Sequence, residues 1–150
     1  MKSIVFVAAI AGSLLSQNGV FAADASAYAK AFREAKERNQ PLIVLVGATW
    51  CPGCQTMKQS VMPRLARSGG LSEVSYATVD ADAEPALAGS LMRGSMIPQL
   101  IVFRQEGGKW QREQVTGATS DAEVKRLIAH AVAKQDKDKV VELAGDGGND

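Results

Sequence analysis

Two cysteines stand three positions apart in the stretch "ATWCPGCQTMK", Ala48 to Lys58, and the chain has no others. Such a pair can close a static bridge, hold a metal ion, or shuttle electrons by thiol–disulfide exchange. Zinc needs four ligands. Beyond Cys51 and Cys54 the sequence offers a single histidine, His130, far along the chain, so a complete zinc site within one chain is not expected. Two thiolates alone can hold Cu(I), and Met96 would add a thioether if its loop came near, although a loop methionine also serves as flexible packing. A static bridge across two residues closes so small a loop that it contributes little chain entropy. The redox reading suits the local chemistry best. At the start of a helix, Cys51 would face unpaired backbone N–H groups and the positive end of the dipole. Both favour thiolate over thiol. Cys54, one turn deeper on nearly the same face, would then be the shielded partner that closes onto it. Lys58 lies a further turn on, either simply solvated or adding positive potential.

The elements that must position this pair can be read from patterning. A helix is expected over "DASAYAKAFREAKERNQ", with Tyr28, Ala31, Phe32 and Ala35 on one face. Asp24 or Ser26 would cap it, and Asn39-Gln40-Pro41 would end it. "PLIVLVG" is a continuous apolar run suited to a strand covered on both faces. A helix should begin at Pro52, be kinked or broken by Pro63, and stop at Ser68-Gly69-Gly70. "EVSYATVDAD" reads as a second strand, "EPALAGSLMR" as a short helix, "PQLIVFRQ" and "WQREQVTG" as a hairpin across Gly107-Gly108. "SDAEVKRLIAHAVAK" reads as a last helix. Ser120 would cap it, Glu123 would hold the reciprocal capping position, and Val124, Leu127, Ile128 and Ala131 would form its buried face. His130 then reads as a surface histidine near a helix C-terminus. The order α-β-α-β-α-β-β-α makes an α/β protein, a sheet sandwiched by helices with its first two strands parallel.

Of the 150 residues, 46% are hydrophobic, enough for one domain with a sizeable core. A net charge of +1 gives no broad attraction to nucleic acid, which is not expected as a partner. The N-terminus, "MKSIVFVAAIAGSLLSQNGVFA", combines Lys2, an apolar run from Ile4 to Leu15, and Val20-Phe21-Ala22 at a peptidase-type site. We expect residues 1–22 to be a signal peptide cleaved after Ala22. The apolar run is short for a bilayer span, so no stable membrane insertion is expected after cleavage. Without Lys2 the basic and acidic residues balance at sixteen each. An exported domain, periplasmic or secreted, meets conditions in which thiols become disulfides. Residues 23–134 would form the domain, and the charged, glycine-rich segment 135–150 a flexible polar tail.

"PLIVLVGATWCPGC" resembles the thioredoxin superfamily stretch in which a strand runs into Trp-Cys-x-x-Cys. "ATVDADAEPALAGSLMRGSMIPQLIVF" and "VTGATSDAEVKRLI" are similar to its later segments, so the likeness covers about Pro41 to Val132. It implies a thioredoxin-like fold with a central four-stranded mixed sheet flanked by helices, and a thiol–disulfide oxidoreductase that needs no cofactor. Cys51 would be the nucleophile and Cys54 the resolving thiol. Trp50 would flank the site as a contact surface. Pro98 would be cis, and Met96 and Ile97 would offer backbone groups to a substrate strand. Partners would be protein thiols and disulfides together with a redox partner, and a monomer is expected. Three features depart from the cytosolic pattern: Leu45 replaces a buried Asp, Gly47 replaces a Trp, and Pro52-Gly53 reverses the usual Gly-Pro. Two rivals remain: a module binding Cu(I) or a client peptide without turnover, and a fold relic with a static bridge.

Overall fold

The computed structural model describes residues 26–145, with side chains through Gln135. The expected signal peptide and the alternative cap Asp24 lie outside the described residues. The element order is α1 (Ala27–Arg38), β1 (Leu42–Gly47), α2 (Pro52–Thr56), a π-helical segment (Met57–Val61), α3 (Met62–Arg67), β2 (Ser75–Asp80), α4 (Pro85–Leu91), β3 (Gln99–Glu106), β4 (Lys109–Thr116) and α5 (Asp121–Gly145).

The four strands form one mixed sheet in the order β2-β1-β3-β4. β1 and β2 are parallel, joined by the helical crossover, while β1–β3 and β3–β4 are antiparallel. All six residues of β1 are buried, as its continuous apolar run requires. Alternation assigns its side chains to two cores. Leu42, Val44 and Val46 pack with Ala77, Val79 and Ile101 under Ala31 and Ala35 of α1 and Ala88 and Leu91 of α4. Ile43 and Leu45 pack with Leu100 and Val102 under Met57, Val61, Met62 and Leu65, and under Val124, Ile128 and Ala131 of α5. Each such aliphatic side chain contributes about 1.5–3 kcal/mol on burial, so the strand at the centre of both cores anchors the loop that follows it.

Local signals set most boundaries. The Ser26 hydroxyl accepts from the Ala29 N–H at 3.3 Å, and Asn39 turns left-handed at φ 48° to end α1. Pro63 does not break its helix. It lacks an N–H, and in regular α geometry its ring would crowd the carbonyl four residues back. The chain widens instead to π geometry over Met57–Val61, with the Met62 N–H bonded to the Met57 carbonyl. Helical structure therefore continues from Pro52 to Arg67.

Two expectations at α5 are corrected. Ser120 caps it, accepting from the Glu123 N–H at 3.3 Å, but the Glu123 carboxylate pairs with Arg126 at 2.5 Å rather than reaching back. The helix also runs on to Gly145 where the sequence reading stopped it at Lys134. No proline or glycine interrupts 135–144, and buried Gln135 donates to Asn39 Oδ1 at 3.0 Å, tying the helix at that residue to the end of α1. His130 is consequently mid-helix, and its Nδ1 lies 3.1 Å from Glu113 on β4.

Candidate redox site

Cys51 and Cys54 lie where β1 leaves the sheet and α2 begins. Cys51 is the N-cap of α2, with Pro52 in the first turn. The Cys54 N–H donates to Cys51 Sγ at 3.2 Å, so the sulfur takes the place a capping oxygen usually fills. The two sulfurs are joined as a disulfide, with the Cα atoms 5.2 Å apart. Cys51 is 6% exposed and Cys54 fully buried. Cys54 is the shielded partner, as its place one turn deeper in the helix predicts, but Cys51 is largely covered as well, because Ala48 and Ile97 pack around the pair.

The other predicted residues converge here. The Ile97–Pro98 peptide is cis, as the resemblance implies. A Cβ on Gly53 would stand 3.3 Å from Pro98 Cδ and 3.4 Å from Ala118 Cβ, so the proline packs directly over the helix start. The Pro98 carbonyl accepts from the Gly117 N–H at 2.8 Å, and Gly117 has a φ of +94°, a conformation that favours glycine. The end of β4 thus fixes Pro98 from behind. Trp50 and Met96 are exposed, 68% and 70%, and are the large exposed apolar residues of the described chain. The Gln55 side chain donates to the Thr49 carbonyl at 2.6 Å, holding the loop between strand and helix.

Two departures from the cytosolic pattern have visible consequences. A Cβ at Gly47 would lie 2.7 Å from Cys54 Sγ and 2.9 Å from its Cβ, closer than van der Waals contact allows. The buried cysteine therefore occupies the space that a side chain at 47 would need. Leu45 is fully buried among Met57, Leu65, Leu100 and Val124, and puts an apolar side chain where the family carries an acid. The charged group at this end of the sheet is Asp80, paired in register with Gly47. Lys58 is not simply solvated, since its Nζ lies 3.9 Å from Asp80 Oδ2. Asp80 Oδ1 also accepts from the Asp82 and Ala83 N–H groups at 2.9 and 3.3 Å.

Two side chains at the site escaped the sequence reading. Asp82 accepts from the Trp50 indole N–H at 2.8 Å; nothing local in the sequence marks it. Gln99, fully buried, bonds the loop before Pro98. Its signal was available: it is the one polar residue at the head of "PQLIVF".

Among the described residues no group of three or more His, Cys, Asp or Glu side chains is disposed to hold a metal ion, and no helix is long and apolar enough to cross a membrane. The sequence model of the family described as thioredoxin-like matches residues 23–104, more than half of the chain. A thioredoxin from Trichomonas vaginalis is 28% identical with a TM-score of 0.52, over 70% of this chain and 90% of its own. A mutant thioredoxin from Halobacterium salinarum is 26% identical with a TM-score of 0.53, over 67% and 82%. A thioredoxin from Thermus thermophilus, 22% identical, shares the fold with a TM-score of 0.60 over 72% and 85%. No curated protein sequence matches the chain. A helix-capping Cys-x-x-Cys disulfide beside a cis-proline, on a β2-β1-β3-β4 mixed sheet, agrees with the family match: the chain belongs to the thioredoxin-like family.

Proposed function

We propose that this chain is an exported thiol–disulfide oxidoreductase that exchanges disulfides with protein substrates through Cys51-Pro52-Gly53-Cys54. The observation that carries the reading is the asymmetry of the pair: Cys51 caps the helix at the rim, and Cys54 is sealed beneath it. In the reductive direction the Cys51 thiolate attacks one sulfur of a substrate disulfide. A mixed disulfide forms, and the other substrate sulfur leaves as a thiolate that takes up a proton. Cys54 then loses its proton and attacks Cys51 Sγ. The Cys51–Cys54 bond forms, and the second substrate sulfur departs and is protonated. Two electrons and two protons pass to the substrate, and a dithiol redox partner restores the pair. Run backwards, the same steps donate the bridge.

Trp50, Met96 and Ile97 form the contact surface in this reading. A substrate strand lies along Met96–Ile97 beside Pro98, and its disulfide meets Cys51. The chain works as a monomer outside the cytosol, where residues 1–22 direct it. N-terminal sequencing of the exported protein tests that placement: a start at Ala23 supports it, and a start at Met1 contradicts it.

Insulin reduction with dithiothreitol as electron donor tests the activity. Wild type should accelerate precipitation of the insulin chains, and Cys51→Ser should not. Matching traces would favour a module that holds Cu(I) or a client peptide without turnover, or a static bridge.

A further inference from the structure

Gln99 is a polar residue with no exposed surface at the first position of β3. It pairs in register with Val46, one residue before Gly47, and so lies at the end of the sheet that carries the disulfide. A buried carboxamide is costly unless bonded. Here all of its bonds go to one loop. Nε2 donates to the Met96 carbonyl at 2.8 Å and to the Arg93 carbonyl at 3.0 Å, with the Gly94 carbonyl at 3.5 Å. Oε1 accepts from the Arg93 N–H at 3.0 Å. The amide thereby uses both donor hydrogens and its acceptor oxygen on residues 93–96.

That loop needs such support. It connects the last turn of α4 to Pro98 and has no helical or strand structure. Among the described residues, 93–97 make no backbone-to-backbone hydrogen bond outside helices and strands. One buried side chain supplies what a neighbouring strand supplies elsewhere. Gln99 is also covalently next to Pro98, so it fixes the loop relative to the proline that packs on Gly53.

We propose that Gln99 is the positioning residue of the substrate-docking loop. Its carboxamide shapes Arg93–Ile97 to receive an extended disulfide-bearing polypeptide, and it takes no part in the sulfur chemistry. The inference rests on the activity proposed above. It separates two things that loss of a catalytic group would change together: recognition of a protein substrate and reactivity of the sulfur pair.

The test compares wild type, Gln99→Met and Gln99→Glu, all close in shape, with insulin and with a small aromatic disulfide, 5,5′-dithiobis(2-nitrobenzoate). Gln99→Met should raise KM for insulin by about tenfold with kcat within about twofold, as expected for loss of one or two hydrogen bonds that shape the docking loop. The rate with the small disulfide and the Cys51–Cys54 equilibrium with glutathione should match wild type. Amide hydrogen exchange at 93–97 should accelerate. Gln99→Glu loses both donors at neutral pH and regains one O–H when protonated. Its insulin KM relative to wild type should therefore fall toward one between about pH 7 and pH 5, since burial raises a carboxyl's pKa. A purely structural role would not move that ratio. If Gln99→Met does not fold, Gln99→Glu near pH 5 still carries the test. An unchanged insulin KM in the folded variants, a parallel loss with the small disulfide, or a pH-independent ratio overturns the proposal. Absence of insulin turnover by wild type overturns the activity reading instead.

Discussion

The indole N–H of Trp50 donates to the Asp82 carboxylate at 2.8 Å, joining the residue before the redox pair to the turn after β2. Asp82 is itself anchored, because its N–H donates to Asp80 Oδ1 at 2.9 Å. An exposed ring is thus held in one orientation beside the disulfide. Asp82→Asn keeps an acceptor oxygen and should behave like wild type in insulin reduction. Asp82→Ala removes it. We expect a stability loss below about 1 kcal/mol and a rise of roughly fivefold or less in insulin KM. The same steady-state assay checks both variants, and equal kinetics for Ala and wild type would mean that the bond does not serve docking.

Gly47 and Cys54 compete for one space. Gly47→Ala sets a Cβ 2.7 Å from Cys54 Sγ unless the helix start or the strand shifts. Overpacking of this kind costs about 1–3 kcal/mol. Urea unfolding of the oxidised protein should show that loss, and a change within about 0.5 kcal/mol would show that the site yields freely.

Arg64 of α3 donates Nε to Asp121 Oδ2 at 2.8 Å and Nη2 to Oδ1 at 2.7 Å, tying the helix that carries the redox pair to the start of α5. These hydrogen bonds hold the Asp121 carboxyl below its usual range. A carboxyl with a depressed folded-state pKa adds stability above its unfolded value, about 3.9. That contribution is lost as pH falls through the lower folded value. Wild type should therefore lose more of its urea midpoint than Arg64→Met between about pH 5 and pH 2. Parallel curves would contradict the linkage.

How much of this was legible in the sequence depends on the range of the signal. β1 was readable because six consecutive apolar residues have few other fates than a doubly covered strand, and the parallel crossover and the Gly107-Gly108 hairpin followed from element order. The cysteine pair at a helix start was readable from Pro52 alone. The cis state of Pro98 entered through the family resemblance, not through local pattern. Pro63 misled in degree, since propensity does not reveal that a chain can widen a turn instead of breaking it. The length of α5 is not legible in composition, because the charged run 135–144 resembles a solvated tail although it holds no helix breaker. The Trp50–Asp82 bond was invisible for a different reason: it joins residues 32 apart that meet only once β1 and β2 have paired. The Gln99 bonds span only three to six residues, and their signal was the polar residue at the head of an apolar strand.

The account's central claim is a division of labour between a sulfur at the rim and a sulfur beneath it. Trapping the mixed disulfide tests it most directly. Reduced Cys54→Ser and Cys51→Ser proteins are each mixed with a disulfide-bonded unfolded client, then quenched in acid and resolved by non-reducing electrophoresis. Cys54→Ser should accumulate a covalent adduct through Cys51, and Cys51→Ser should form almost none. Equal adducts from the two variants, or an adduct found only through Cys54, would contradict the account.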